Sequence, residues 1–179
     1  MVVHRTNLEG VLVLEPAVHV DLRGFFLETY NEKEFAKAGI TERFVQDNLS
    51  RSRKGVLRGL HYQVKKVQAK LIRVLRGEIF DVVVDVRPES QNFGKWTGVH
   101  LNDKEMKTIW IPRGFAHGFY TLSESADVSY KVSDFYSPEN ERTLLWNDPD
   151  VAIQWPLQGE PILSEKDRVG HALRDLARI

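Results

Sequence analysis

An all-β fold, a barrel or sandwich of short strands, is what this sequence predicts, on three observations. Short runs of β-type composition recur at 11–14, 24–30, 43–49, 56–63, 70–75, 78–86, 97–101, 108–111, 117–122 and 126–132. Gly, Asn, Asp or Pro punctuates many of the gaps, as in Arg76-Gly77 and Arg87-Pro88, which is the pattern of many strands joined by turns. The run 79–86 alternates cleanly, with Phe80, Val82, Val84 and Val86 on one face and Ile79, Asp81, Val83 and Asp85 on the other. The first face is expected to form the sheet-to-sheet core. The second, with its carboxylates, is expected to line a polar cavity. Two helices are expected as well: a short one near residues 32–38, stopped by Gly39, and a C-terminal one from Ser164 to Arg178. Ser164 as N-cap with Asp167 three positions on resembles a capping box. No repeat, linker or low-complexity segment interrupts the 179 residues, so one domain over 1–179 is expected, long enough to bury a core.

Composition excludes several function classes. The 25 basic and 25 acidic side chains balance, which argues against a general affinity for nucleic acid or for an anionic membrane surface. There is no cysteine, hence no disulfide and no thiol nucleophile. Glu9, Glu15, His19 and Asp21 break up the apolar residues near the N-terminus, so neither a signal peptide nor a spanning helix is expected and the default location is the cytoplasm.

Two short strings carry the chemistry. Pro112-Arg113-Gly114-Phe115-Ala116-His117 fits the Pro-x-Gly-x-x-His core of the second cupin motif, in which Pro and Gly shape a turn and the His opens the next strand pointing into a barrel. Leu57-Arg58-Gly59-Leu60-His61-Tyr62-Gln63 sits where the first motif would lie. A metal-binding cupin supplies His-x-His there and a Glu a few residues on. Here His61 is followed by Gln63, Val67 and Gln68 stand where the Glu would be, and Lys70 comes next. An ammonium beside a divalent cation repels it, so the expected fold is a cupin-type jelly-roll barrel without a metal site that keeps a cavity of His61, His117 and Lys70.

Each of these residues has an ordinary structural reading. A strand His is usually a satisfied polar group, a strand-end Lys is usually solvated, and a strand Tyr such as Tyr130 is usually core. The motif frames shift the balance, because both aim a His into one cavity. There His61 and His117 would serve as proton carriers near neutral pH, Lys70 would stabilise oxyanion charge, and Tyr130 would be a phenolic acid opposite His61. Asp81 is expected to face the same cavity and to pair with Lys70. Arg23, Arg58 and Lys166 are candidate anion ligands. Arg58 and His61 have opposite strand parity, so a shared site requires a bulge at Gly59 or a place for Arg58 at the barrel mouth. Phe25, Phe26, Phe119, Tyr136, Trp146 and Trp155 read first as core, although a polar-aromatic mouth would suit a nucleotide.

Longer strings then resemble one family. They are Asp21-Leu22-Arg23-Gly24-Phe25-Phe26-Leu27-Glu28-Thr29-Tyr30, Phe44-Val45-Gln46-Asp47-Asn48, Gly77-Glu78-Ile79-Phe80-Asp81-Val82, Phe93-Gly94-Lys95-Trp96, Tyr130-Lys131, Trp146-Asn147-Asp148-Pro149, Ile153-Gln154-Trp155-Pro156 and Leu163-Ser164-Glu165-Lys166-Asp167. In this order, with the two motif strings, the chain resembles the dTDP-4-dehydrorhamnose 3,5-epimerases nearly end to end. The resemblance implies a metal-free, cofactor-free homodimer that inverts C3 and C5 of dTDP-4-dehydro-6-deoxy-D-glucose in dTDP-L-rhamnose biosynthesis. It implies His61 as the base, Asp167 as its orienting carboxylate, Tyr130 as the acid and Lys70 as the support of the enolate oxygen. His117, Arg58 and Arg23 match positions that meet phosphate or sugar, and Glu28, Gln46 and Asn48 match positions that meet the nucleotide. Phe25 lies in the 23–28 segment that reaches into the partner subunit's site, and Glu141 and Lys166 match further substrate-binding positions. Ala69 departs from a Gly common before the Lys.

The chemistry agrees with that implication. Protons at C3 and C5 are both α to the C4 ketone, so removing one gives an enolate that needs a cationic or hydrogen-bonding partner. Inversion needs removal from one face and return to the other. A single-centre epimerase of a related dTDP-4-keto-deoxysugar is the near alternative. A metal-dependent cupin is disfavoured by Gln63 and Lys70, and a non-catalytic sugar- or nucleotide-binding cupin by the joint presence of His61, Lys70, Tyr130 and Asp167.

Overall fold

The computed structural model describes residues 1–176. Its strands are β1 Val2–Arg5, β2 Leu12–Glu15, β3 Val18–Asp21, β4 Gly24–Leu27, β5 Gln46–Arg53, β6 Leu57–Gln63 and β7 Lys70–Arg76. They continue with β8 Glu78–Asp85, β9 Trp96–Asn102, β10 Thr108–Ile111, β11 Phe115–Thr121, β12 Ser125–Val132 and β13 Glu141–Thr143. Among the described residues there are also three short α-helices, α1 Glu32–Lys37, α2 Glu165–Arg168 and α3 Leu173–Leu176, and a 3-10 turn at Pro138–Asn140.

The strands build two antiparallel sheets that face one another. One runs β1-β2-β10-β7-β12-β5 and the other β13-β6-β11-β8-β9, the jelly-roll arrangement that the strand pattern predicts. Ile72, Val74, Ile109, Ile111 and Val128 from the first sheet meet Ile79, Val83, Phe115 and Phe119 from the second. Each large aliphatic side chain fully buried in such a core contributes roughly 1.5–3 kcal/mol. The hairpin β3–β4 forms a separate two-stranded sheet. No helix among the described residues is long and apolar enough to cross a membrane.

The face assignment of β8 is reversed from the expectation. Ile79 and Val83 lie in the inter-sheet core. Val82, Val84 and Val86 point outward, where Leu144, Val151, Leu173 and Leu176 of the C-terminal segment cover them. The jelly roll is thus wrapped on its second sheet by a strap, and both faces of β8 are buried. A strand covered on both faces carries apolar residues on both, so alternation alone does not tell inside from outside. Of the two inner carboxylates, Asp81 is fully buried behind His117, which lines the cleft, and does not itself line it as expected. Asp85 is instead held by Arg87 and Ser90 at the end of the strand.

The predicted C-terminal helix is two short ones. α2 ends at Arg168 with Val169 as its C-cap, after which Gly170 lies so close to the backbone of Thr143, Leu144 and Leu145 that a Cβ there would clash. His171 then makes a bridge to Leu144, which takes the chain out of helical geometry before α3. The predicted end at Arg178 lies outside the described residues. The first helix agrees with its prediction: the Asn31 side chain caps it, and Gly39, at φ 82°, turns the chain away.

One irregularity positions the site. Along β6 and β11, His117 pairs with His61 and Phe119 with Arg58, so Gly59 and Leu60 together oppose Gly118. This is a bulge, and it removes the parity conflict by turning Arg58 and His61 to the same side. Only Gly fits there. Gly59 has φ 120°, and a Cβ on it would lie 2.5 Å from the Gly118 Cα.

Candidate active site

Both sheets contribute side chains to one cleft of about 330 Å³. From the first sheet come Gln46, Asn48 and Ser50 of β5, Lys70 of β7 and Tyr130 of β12. From the second come Arg58 and His61 of β6, His117 and Phe119 of β11 and Glu141 of β13; Gln68, Tyr136 and Lys166 complete the wall. The period-two spacing of Gln46, Asn48 and Ser50 places all three on the inner side of an edge strand.

His61 is joined to the strap. Its Nε2 lies 2.6 Å from Asp167 Oδ1. The Ser164 hydroxyl donates to Asp167 Oδ2 at 2.7 Å and accepts from the Asp167 N–H. So the predicted cap exists, but the Asp167 carboxylate turns to His61 instead of closing a capping box. Burial alone would push the Asp167 carboxyl up, but the hydrogen bonds from His61 and Ser164 outweigh it and hold it below the ordinary carboxylate range. An ionised carboxylate only accepts, so His61 presents Nε2–H to it and keeps the Nδ1 lone pair free.

A second imidazole–carboxylate pair lies beside the first. His117 Nε2 is 2.7 Å from Asp81 Oδ2, and the other Asp81 oxygen is buried without a hydrogen-bond partner. The predicted partner of Asp81 was Lys70; the structure gives it His117, across the β8–β11 ladder. Burial lowers the His117 pKa against the opposing pull of Asp81, which favours the neutral imidazole. Lys70 is buried, and its ammonium donates to the His61 carbonyl at 3.2 Å, so it crosses from the first sheet toward the second. Burial brings its pKa down to about 8, with Glu141 and Asp81 working against that drop. Ala69 beside it is fully buried, its N–H held by the Ser133 hydroxyl.

Tyr130 lines the cleft from the sheet opposite that of His61. Burial raises its phenol above the ordinary value, so it stays protonated. Arg58 is anchored by its Nε to the Ser52 hydroxyl at 2.9 Å. Glu141 accepts from the Tyr136 phenol at 2.9 Å and from Lys166 at 2.8 Å on the same oxygen. Among the described residues no group of three or more His, Cys, Asp or Glu side chains is arranged to hold a metal ion.

Three of the sequence candidates are not brought to the cleft within one chain. Arg23 and Phe25 sit on the β3–β4 hairpin, where Arg23 pairs with Asp21. Glu28 follows that hairpin and lines a different recess with Phe26, Phe35 and Arg73. Phe25 and Phe26 are 58% and 70% exposed, which corrects their reading as core. Trp155 does pack on the outer cluster and donates to the Trp146 carbonyl. Ser50 and Gln68 line the cleft without having been singled out as site residues, and Phe119 and Tyr136 line it although they read first as core. Ser50 and Phe119 follow by strand parity from Asn48 and His117, whereas Gln68 and Tyr136 lie in loops, where periodicity gives no signal.

The sequence and the fold are similar to those of known proteins. A family model described as dTDP-4-dehydrorhamnose 3,5-epimerase matches residues 5–175. An enzyme of that name from Pseudomonas aeruginosa is 53% identical over 172 residues, covering 96% of this chain and 95% of the relative. One from Methanothermobacter thermautotrophicus is 51% identical over 173 residues, covering 96% and 94%. The solved structure of a dTDP-6-deoxy-D-glucose-3,5-epimerase from Legionella pneumophila, in complex with dTDP-4-keto-L-rhamnose, superposes with a TM-score of 0.94 at 49% identity over 96% of this chain and 92% of that one. Sharing with these proteins its sequence over nearly its full length and its two-sheet barrel, the chain belongs to the dTDP-4-dehydrorhamnose 3,5-epimerase family.

Proposed function

We propose that the cleft between the sheets converts dTDP-4-dehydro-6-deoxy-D-glucose to dTDP-4-dehydro-L-rhamnose by inverting C3 and C5 in turn. The observation that carries the assignment of roles is that His61 and Tyr130 line one cleft from opposing sheets, with the Lys70 ammonium extended between those sheets. His61 Nδ1 takes the α-proton, and the Asp167 carboxylate stabilises the imidazolium that forms. The C–H electron pair moves into an enolate whose oxygen is met by Lys70. Tyr130 returns a proton from the opposite face; His61 then releases its proton to solvent and Tyr130 regains one from it, and the cycle repeats at the second carbon. No electrons are gained or lost overall, so the step needs no redox partner. Arg58 and His117 receive the diphosphate or sugar, Gln46 and Asn48 the nucleotide, and Glu141 and Lys166 further parts of the substrate.

The β3–β4 hairpin supports a dimeric site. Val20, Leu22, Phe25 and Phe26 are exposed on it, a concentration of apolar surface that a second copy would cover. In that arrangement Arg23, Phe25 and Glu28 complete the partner's cleft. A His61→Ala chain mixed with an Arg23→Ala chain then regenerates some intact sites and recovers activity. Verified heterodimers that stay inactive would mean that each site is built from one chain.

Turnover in D2O tests the roles. His61→Ala is expected to lose deuterium exchange at both carbons, with a rate loss of at least about 10²–10⁴-fold. Tyr130→Phe is expected to continue exchange while epimerised product falls, because the proton returns to its original face. A Tyr130→Phe enzyme that inverts both centres at the wild-type rate sinks the Tyr130 assignment. Exchange confined to one carbon in the wild type would make the chain a single-centre epimerase.

The pH profile tests Lys70. Its ammonium form predominates below about 8, so kcat/KM is expected to fall as pH rises through that value, by about tenfold per unit above it. Lys70→Arg should remove that limb, since a guanidinium keeps its charge. A profile flat to pH 10 in the wild type would exclude Lys70 as the cation at the enolate.

A further inference from the structure

Gln63 occupies the place where a metal-binding cupin carries its second His, and the reaction described above gives it no task. It is only 5% exposed, yet it is not among the residues that line the cleft. Its side-chain amide is spent on two loops. The NH2 donates to the Lys66 carbonyl at 2.6 Å and to the Phe135 carbonyl at 3.4 Å. The oxygen accepts the Ser137 N–H at 2.8 Å. Two carbonyls on one end and an N–H on the other fix which way the amide points.

The loop it grips has little else to hold it. Among the described residues no backbone-to-backbone hydrogen bond involves Asp134, Phe135 or Tyr136. Glutamine side chains replace that ladder. Gln68 donates to the Asp134 carbonyl at 2.9 Å, Gln46 accepts the Tyr136 N–H at 3.1 Å, and Gln63 clamps the residues on either side of Tyr136. Gln63 is the buried member of this set, and its hydrogen bonds are accordingly the least exposed to competition from water. Tyr136 is half exposed, lines the cleft and donates its phenol to Glu141.

We propose that Gln63 is a positioning residue for substrate binding: by clamping Phe135 and Ser137 it fixes Tyr136 and, through it, Glu141 at the cleft wall. The position that would hold a metal is thereby used to hold the rim of the site. Gln63 stands opposite Glu141 in the β6–β13 ladder, but its side chain is spent on Lys66, Phe135 and Ser137 and does not line the cleft, so its effect falls on KM and leaves kcat nearly unchanged. The proposal rests on the cleft being the substrate site.

A double-mutant cycle tests it on the intact chain. Gln63→Glu keeps the shape but sets a carboxylate against the Lys66 and Phe135 carbonyls. In the wild-type background it is expected to raise KM about tenfold while kcat changes by less than about threefold. In a Tyr136→Ala background the same change is expected to move KM by less than about twofold, since the element it acts through is gone. An equal KM increase in both backgrounds, a loss of kcat at unchanged KM, or a lowered melting temperature with wild-type kinetics would each overturn it. Gln63→Met, which removes the hydrogen bonds without adding a charge, carries the same cycle and the same outcomes where Gln63→Glu does not fold. His61→Ala run alongside separates the two readings: retained turnover there removes the cleft as the site, whereas lost turnover with an additive Gln63 effect removes only the brace.

Discussion

The hydrogen bond between His61 and Asp167 is the constraint on which the rest of this molecule depends. The two residues are 106 positions apart. One sits at the middle of a barrel strand and the other on a four-residue helix in the strap. For them to meet, the strap must lie over the second sheet, and that sheet must expose an apolar outer face for it to cover. Val82, Val84 and Leu60 supply that face, and Leu173, Leu176 and Val151 cover it. The outer packing of the barrel and the orientation of its central imidazole are therefore set by the same contact.

The inside of the barrel shows a second regularity. The buried ionisable groups described near the cleft each have a polar partner: His117 has Asp81, Lys70 has the His61 carbonyl, and Asp167 has His61 and Ser164. Isolated buried charges cost several kcal/mol, so such pairing is what allows a polar cavity within a packed core. The exception is the unpartnered oxygen of Asp81. A cavity that holds a cationic Lys beside two imidazoles suits an anion that forms transiently in it, and an enolate is such an anion.

Much of this was legible in the chain. The strand runs, the turn glycines, the stop of the first helix at Gly39, and the inward His61 and His117 depend on local chemistry and short spacing. The bulge was half legible: the parity of Arg58 and His61 demanded an irregularity, and Gly59 was the residue able to supply it. What escaped depends on distant parts of the chain. Which face of β8 is inside depends on the strap. The pairing of Asp81 with His117 depends on which strand lies next to β8. Strand β13 is three residues long, too short for alternation to register. The strand Val18–Asp21 is exposed at every position, so it has no buried face to pattern. Tyr136 and Gln68 reach the cleft from loops held by side chains, and neither period of regular structure applies to them.

The tautomer of His61 tests the central contact most directly. If Asp167 holds Nε2–H, the ¹⁵N spectrum of histidine-labelled enzyme at a pH where the ring is neutral shows His61 as the Nε2–H form, with a non-protonated Nδ1. In Asp167→Ala the preference for that form weakens. An Nδ1–H tautomer in the wild type would contradict the assignment, because the basic nitrogen would then face the strap and not the substrate.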